Sequence, residues 1–324
     1  MKTLSTIFSA GVNIRNALYD RRMFKVRKLT RPVVSIGNIS VGGSGKTPFV
    51  IALGEILKQR GITFDVLSRG YRRKSSKVAL VDPQGSPEQF GDEPLLIART
   101  LQAPVVVGAD RYQAGLWAEK NLDTKLHLLD DGFQHRRLHR DFDIVMLPAS
   151  DLHDFPLPLG RLREPVASLH RADAVVMPDE AGEEDLALAR SCMKEPHSLW
   201  KARRVLELDD NTARAVAFCG IARAKQFFAQ LRSLPLPLPI ELAATITFSD
   251  HHHYSSRDVD RLLKTKAESG AESFITTEKD LINLGALAAR LQPLHVARLR
   301  VEFESALVGT TILKTLEQRC SCRF

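Results

Sequence analysis

The chain is poor in cysteine and has no long apolar run, no internal repeat and no acidic excess. Its 324 residues include four cysteines, too few for a disulfide scaffold. Cys320 and Cys322 form a terminal Cys-Ser-Cys with no His/Cys pair at zinc-site spacing, and Cys192 and Cys219 stand singly in apolar stretches as small core residues. A reducing compartment suits such a chain. No apolar run reaches the ~18 residues of a membrane span. The early apolar stretch is short, broken by Ser, Thr and Gly, and a poor fit to a secretory leader.

What the chain does have is ordinary globular composition, 44% hydrophobic and 26% charged, at a length that suits two compact domains or one large one. The net charge of +8 is concentrated at one end: residues 1–31 hold eight basic residues against the single acid Asp20, which leaves the rest nearly neutral. Basic residues spread over a fold would suggest nucleic acid. Outside the N-terminus only Arg69–Lys77 and Arg136–Arg140 support that, and both lie beside loops where phosphate contact explains them equally.

Residues 3–20 read as one helix. Leu4, Ile7, Phe8, Gly11, Val12, Ile14, Leu18 and Tyr19 share a face, and Ser5, Thr6, Ser9, Asn13, Asn16 and Asp20 take the other. Arg15 interrupts the apolar face, and the basic cluster from Arg21 to Lys28 follows. Two readings stand side by side: a helix packed on the domain with solvated basic flanks, or an interfacial helix against an anionic membrane.

From Pro32 onward short apolar runs alternate with helical stretches, which predicts a parallel sheet covered on both faces. Expected strands are 33–36, 62–67, 77–81, 104–107, 126–129, 142–147 and 174–177; expected helices are 46–60, 94–101 and 110–121. An extended connector over 199–208 leads to a second α/β stretch. Its expected strands are 213–218, 241–248 and 273–276, with helices at 223–232, 256–268 and 278–290. A proline-rich piece lies at 234–239. Residues 295–303 are a candidate partner for the connector, and a last helix spans about 304–319.

The strongest motif is Ser40-Val41-Gly42-Gly43-Ser44-Gly45-Lys46-Thr47, set between a strand and a helix. A phosphate loop reads Gly-x4-Gly-Lys-Ser/Thr. Here Ser40 takes the first glycine position, while Gly42 and Gly43 add freedom inside the loop. Successive N–H groups at a helix N-terminus make an anion cradle. Lys46 then reaches the β/γ-phosphates and the Thr47 hydroxyl holds Mg²⁺. Pro48 suits the first helical turn. The apolar strand 126–129 ends in Asp130 and Asp131, at least one of which is the expected metal-ordering carboxylate. A guanine reader, Asn-Lys-x-Asp, is missing, so ATP is the expected nucleotide. Asp92, opening a helix in Gly91-Asp92-Glu93-Pro94, is either a capping residue or an acceptor of a hydroxyl proton. Three consecutive histidines, His251 to His253, point in different directions, so one of them paired with a carboxylate is more plausible than a three-His metal site.

These pieces together resemble the tetraacyldisaccharide 4'-kinases, the lipid A kinases of Gram-negative bacteria. The resemblance rests on Gly37-Asn38, the loop above, Leu67-Ser68-Arg69-Gly70-Tyr71, Gly91-Asp92-Glu93-Pro94 and Gly108-Ala109-Asp110-Arg111-Tyr112. It continues through Asp130-Asp131-Gly132-Phe133-Gln134-His135, Gly160-Arg161-Leu162-Arg163-Glu164-Pro165, Phe248-Ser249-Asp250-His251-His252 and Thr276-Thr277-Glu278-Lys279-Asp280. They occur in the family's order across residues 30–285. Arg161 stands where the family usually has proline. The resemblance implies an α/β P-loop kinase: a basic membrane-associated segment 1–30, a nucleotide-binding domain 31–198 and a smaller domain 199–324, joined by a two-stranded ribbon. It implies ATP and Mg²⁺ as cofactors and phosphate transfer to the 4'-hydroxyl of tetraacyldisaccharide 1-phosphate, giving lipid IVA. It further implies a monotopic site at the cytoplasmic face of the inner membrane, with no nucleic acid. Carried over by position, Gly42, Gly43, Ser44, Gly45, Lys46 and Thr47 bind ATP, and Thr47, Asp130 and Asp131 hold the metal. Asp92 is the base tuned by His251; Arg163 and Glu164 are catalytic; Asn38, Arg69, Arg111 and His135 meet the substrate. A P-loop switch or assembly ATPase is the rival reading, and it predicts hydrolysis without a phosphorylated small product.

Overall fold

A computed structural model describes residues 2–43, 45–194, 198–208, 212–234, 240–304 and 307–320. Ser44, residues 235–239 of the proline-rich piece and Cys322 lie outside the described residues. The helices in chain order are α1 (Lys2–Asp20), α2 (Lys46–Gln59), α3 (Pro87–Phe90), α4 (Asp92–Leu101), α5 (Arg111–Asn121), α6 (Glu183–Cys192), α7 (Ala224–Arg232), α8 (Ser256–Ser269), α9 (Glu278–Leu284) and α10 (Val308–Cys320). The strands are β1 (Val33–Asn38), β2 (Phe64–Ser68), β3 (Ala79–Leu80), β4 (Val105–Val107), β5 (Leu126–Asp130), β6 (Phe142–Met146), β7 (Ala174–Pro178), β8 (Leu199–Leu208), β9 (Arg214–Cys219), β10 (Glu241–Thr247), β11 (Ser273–Thr277) and β12 (Leu294–Phe303).

All of them join one twelve-stranded sheet in the order β10-β9-β11-β12-β8-β7-β6-β1-β5-β2-β4-β3. The pairs are parallel except β12 with β8 and β3 with β4. Strands β1, β2, β5 and β6 are buried along their whole length, as apolar runs covered by helices on both faces must be. The β8/β12 pair is the antiparallel ribbon, in register from Ala297 opposite Leu208 to Phe303 opposite Ala202. Two apolar clusters flank the strands beyond the ribbon, one around Phe227 and Ile275, the other around Phe218 and Phe274. The larger core lies under α2, around Phe49, Leu53, Ile144 and Val176.

Several expectations shift. Helix α10, grouped by sequence with the C-terminal part, returns to the larger core: Val308, Ile312 and Leu316 are buried there. The helix expected over 278–290 ends at Leu284, and Gly285 (φ +53°) turns it into a 3-10 segment. Helix α6 carried no strong sequence signal because only Leu186 and Ala189 of it are buried.

Helix α1 leaves much of its apolar face uncovered. Its buried residues are Ser5 and Asn16, while Leu4, Ile7 and Ile14 are 57%, 63% and 61% exposed. The helix is packed on the domain and its basic flank, Arg21 to Lys28, is exposed, while part of its apolar face points outward. It docks along a mixed side, through Ser5 Oγ donating to Pro156 O at 2.8 Å and Asn16 Nδ2 donating to Glu164 Oε2 at 2.7 Å, with Phe8, Val12, Leu18 and Tyr19 half-buried and Thr6, Asn13 and Asp20 exposed.

Candidate active site

The carboxyl ends of β1, β2 and β5 meet the start of α2 and α4, where open α/β sheets bind their ligands. A cleft of about 520 Å³ opens there, walled on the other side by β8, β12, α7 and the loop carrying His251. The phosphate loop forms one wall. Gly42 and Gly45 have φ of +101° and +87°, values open to glycine and costly for other residues. A Cβ on Gly42 or Gly43 would meet nothing within 4 Å, so the loop borders open space. Ser40 needs no glycine conformation. Its hydroxyl donates to Asp151 Oδ2 at 2.5 Å, and its backbone pairs with Leu162. The hydroxyl explains the departure from the usual loop: it ties the first position of the loop to a fully buried carboxylate.

Lys46 is held from behind. Its ammonium donates to Asn38 Oδ1 at 3.1 Å and lies 3.3 Å from Asp131. Arg163 pairs with Asp131 through two contacts, at 2.9 and 3.1 Å, and also donates to Asn38 Oδ1. Burial alone would raise the Asp131 carboxyl, but Lys46 and Arg163 outweigh it and hold it well below the usual carboxylate range. Asp130 behaves oppositely: burial, with the negative charges of Glu93 and Asp131, pushes it upward. Its Oδ2 accepts from Ser68 at 3.0 Å, and its Oδ1 is buried without a hydrogen-bond partner. Asp131 sits at φ +50°, a left-handed turn that aspartate tolerates better than most residues.

This donor set fits a nucleotide with Mg²⁺. Mg²⁺ is held by one or two carboxylates together with substrate phosphates and water. Asp130, with an orphaned buried oxygen, and the Thr47 hydroxyl supply that share here. Among the described residues, no three acid, His or Cys side chains gather into a self-contained metal cage.

Across the cleft Asp92 is the first residue of α4 and is buried. Its Oδ1 accepts from the adjacent Glu93 N–H at 2.9 Å, which is not a cap bond: the N-cap position is Gly91, so the capping reading of Asp92 does not hold. Its Oδ2 accepts from His251 Nδ1 at 2.7 Å and from Asn283 Nδ2 at 3.3 Å. His251 adopts φ +56°. Of the three histidines it alone meets Asp92: His252 pairs with Asp258 at 3.2 Å and His253 lies 3.8 Å from Glu88. Burial would raise the Asp92 carboxyl, but the His251 hydrogen bond and the Lys279 charge bring it down to about 2.

Lys279 is the residue the sequence reading passed over. Its ammonium lies 3.2 Å from His251 Nε2, 3.5 Å from Glu93, 3.7 Å from Asp92 and 3.7 Å from Asp250. In the sequence Thr276-Thr277-Glu278-Lys279-Asp280 counts toward the family resemblance, with no role assigned to its lysine. Its place after β11 at the start of α9 is the signal that carries it to the site. Arg204 and Arg223 were missed too. Both line the cleft without an ion pair to any described residue, and a Cβ at Gly45 would lie 3.5 Å from Arg204 Cδ.

The expected site residues therefore fall into two groups. Gly42, Gly43, Gly45, Lys46, Thr47, Arg69, Asp92, Asp130, Asp131, Arg163 and His251 converge on the cleft. Asn38, Arg111, His135 and Glu164 do not line it. Asn38 is fully buried and braces Lys46 and Arg163, so it is not placed to touch a substrate. Arg111 is buried with Nη1 donating to Ala109 O at 2.7 Å. His135 is half-buried beside it, with an unpartnered Nε2. Glu164 is 0% exposed and bonded to Asn16 and Arg171, so its carboxylate is turned away from the cleft and has no direct catalytic reach. Arg163 and Glu164 follow the isolated Leu162 bridge in a bend, and their side chains part there: Arg163 runs to Asp131 and Asn38, Glu164 to Asn16 and Arg171.

The family model described as tetraacyldisaccharide-1-P 4'-kinase matches residues 1–317. A tetraacyldisaccharide 4'-kinase of Koribacter versatilis is 46% identical over 330 residues, covering 98% of this chain and 99% of the relative. That of Aquifex aeolicus is 39% identical over 301 residues, covering 86% and 88%. A solved structure of LpxK from Aquifex aeolicus in complex with ATP superposes with a TM-score of 0.76 at 34% identity, covering 98% of this chain and 97% of that one. Loop, acid pair and Asp–His pair thus sit in a sequence that matches end to end, and the chain belongs to the tetraacyldisaccharide-1-P 4'-kinase family.

Proposed function

We propose that this chain transfers the γ-phosphate of ATP to the 4'-hydroxyl of a tetraacyldisaccharide 1-phosphate at the cytoplasmic face of the inner membrane, giving lipid IVA. The observation that carries the reading is the Asp92–His251 pair lining the same cleft as the phosphate loop. A nucleophile's proton has an acceptor at one wall, and the transferred phosphate has cations at the other.

In this reading the loop amides, Lys46 and Arg163 bind the β- and γ-phosphates, while Arg204 and Arg223 close over them from the opposite wall. Leu206, Phe227 and Leu299 supply an apolar surface for the base. Thr47 and Asp130 would hold Mg²⁺, which when bound would supply charge neutralisation at the phosphates. The sugar oxygen bonds to the γ-phosphorus as the bond to the bridging oxygen breaks, ADP leaves, and the hydroxyl proton goes to Asp92. A carboxylate near 2 is ionised throughout the neutral range but weakly basic. It takes the proton late, as the new bond forms, which suits a loose transition state. His251 and Lys279 hold Asp92 in that state. Arg69, exposed at the cleft and without an ion pair to any described residue, meets the acceptor's polar head. Arg111 and His135 support it from behind.

We assign residues 31–198 with α10 to the nucleotide-binding unit and the strands beyond the ribbon to the smaller one. Helix α1 serves as the membrane contact. Its outward Leu4, Ile7 and Ile14 stand beside the basic run from Arg21 to Lys28, and each basic residue near an anionic surface contributes about 1 kcal/mol. Among the described residues no helix is long and apolar enough to cross a membrane, so the contact is interfacial.

Mass spectrometry of the lipid acceptor incubated with protein, ATP and Mg²⁺ should register a gain of one phosphate. ATP hydrolysis with an unmodified lipid would favour a switch ATPase instead. Asp92→Asn should lower kcat by about 10²–10⁴-fold while ATP affinity holds. Wild-type turnover in that folded variant would remove Asp92 as the proton acceptor.

A further inference from the structure

The segment from Phe155 to Glu164 touches three parts of the molecule at once. At its start Pro156 O accepts from Ser5 of α1. In its middle Leu162 bridges Ser40, and Val41 N donates to Arg161 O at 2.8 Å. Arg161 closes the same tie from the side chain, with Nη2 3.3 Å from Asp151 and Nε 2.9 Å from Asp154. Asp151 is the carboxylate that receives Ser40 Oγ. Arg163 N donates to Ile39 O at 2.7 Å, which extends the pairing along the entry to the phosphate loop.

The last two residues then point apart. Arg163 reaches Asp131 and Asn38. Glu164 reaches the other way: its Oε2 accepts from Asn16 Nδ2 at 2.7 Å and from Arg171 Nη2 at 2.6 Å, and Arg15 lies 3.5 Å from its Oε1. Arg171 in turn lies 4.3 Å over the Phe133 ring, and Arg136 donates to Asn16 O at 3.0 Å. A fully buried carboxylate is worth keeping only when its partners stay in place. Those partners include Asn16 and Arg15 of α1, the helix that turns Leu4, Ile7 and Ile14 outward.

We propose that Glu164 is a positioning residue: clamped between Asn16 of α1 and Arg171, it fixes the adjacent Arg163 on Asp131 and Asn38, so the seating of α1 sets the phosphate-binding end of the cleft. Arg163 and Glu164 share one peptide unit, so tilt at the clamp is delivered to the guanidinium. Misplacement of a positioning group by ~1 Å can cost up to about 100-fold in rate. The inference rests on the reading of the Lys46–Arg163 end as the phosphate site.

The test uses the full chain and the Asn16→Ala variant, which removes the hydrogen bond from the helix to Glu164 and leaves its ion pairs with Arg171 and Arg15 in place. Rates are measured with the lipid acceptor and, separately, as acceptor-free ATP hydrolysis; sedimentation with anionic vesicles and thermal unfolding are measured in parallel. Asn16→Ala is expected to lower kcat and acceptor-free hydrolysis together by about 10-fold, with lipid KM within about twofold and vesicle binding retained. In an Arg163→Ala background the same change is expected to have no further effect. A rise in lipid KM with hydrolysis untouched would make the cluster a substrate contact and overturn the proposal. So would additivity with Arg163→Ala, because the two residues would then act independently. A wild-type protein that fails to phosphorylate the lipid refutes the kinase reading instead, and acceptor-free hydrolysis still reports on the coupling.

Discussion

Single residues in this protein do what their neighbours permit. His135 was expected to meet the substrate; the structure sets it beside Arg111, where burial and the guanidinium charge lower it from 6.5 to about 4. The unfolded chain takes up that proton near 6.5, the folded chain only near 4, so the unfolded state holds more protons between the two. Stability contributed there is present above the unfolded value and is lost as pH falls through the window. We expect the drop in melting temperature from pH 7 to pH 5 to be smaller in His135→Gln than in wild type. Equal drops would mean that His135 titrates alike in both states. Glu164 makes the same point by position: its residue type suggested chemistry, and its neighbours made it a bracket. Residue type reported that charges gather here. Which charge faces the cleft depends on partners as far as 148 positions away in the chain, and nothing local encodes that.

At the scale of elements the clearest signals were buried strands and the glycine loop, because both follow from local requirements. β1, β2, β5 and β6 are apolar since both faces are covered. Gly37 within β1 shows how close that cover is: a Cβ there would lie 2.5 Å from Phe133 Cβ. Helix α1 shows the limit of the same logic. Its amphipathic pattern was legible, but the pattern alone does not state which side meets protein. Ser5 and Asn16 inside, with Ile7 and Ile14 outside, answer it. Ile7→Glu with Ile14→Glu should therefore leave folding within about 0.5 kcal/mol, as exposed substitutions do, while sedimentation with anionic vesicles is lost. Retained binding would move the membrane contact elsewhere. The double substitution is a cleaner probe than deleting the helix, since deletion would also strip Asn16 from Glu164.

The whole molecule is one twelve-stranded sheet whose β8/β12 ribbon carries the second set of strands beside the phosphate loop. That arrangement places Arg204 and Arg223 in the cleft, neither of them within any motif. Burial lowers the Arg223 guanidinium, and Arg204 and Arg161 add to the effect by repulsion. Arg204 and Arg223, which form no ion pair with a described residue, suit a polyanionic ligand in the cleft. Arg204→Ala is expected to raise KM for ATP by about 10-fold, the loss of one charge-assisted hydrogen bond, with lipid KM unchanged. An unchanged ATP KM would place Arg204 outside the nucleotide site. Helix α10 is a second product of global assembly: it closes the larger core although it follows every strand of the second set.

By itself the sequence determined the α/β class, the phosphate loop, the acid pair after β5, the basic amphipathic start and the family. Each depends on residue order over a few positions, through backbone freedom, hydrophobic period or motif spacing. Only the tertiary structure decided that His251 rather than its neighbours meets Asp92, that Lys279 joins them, that Glu164 holds α1, and that α1 turns Leu4, Ile7 and Ile14 outward. Those are contacts between elements far apart in the chain. Their geometry is set by how the sheet stacks its strands and helices, a property no short stretch of sequence carries.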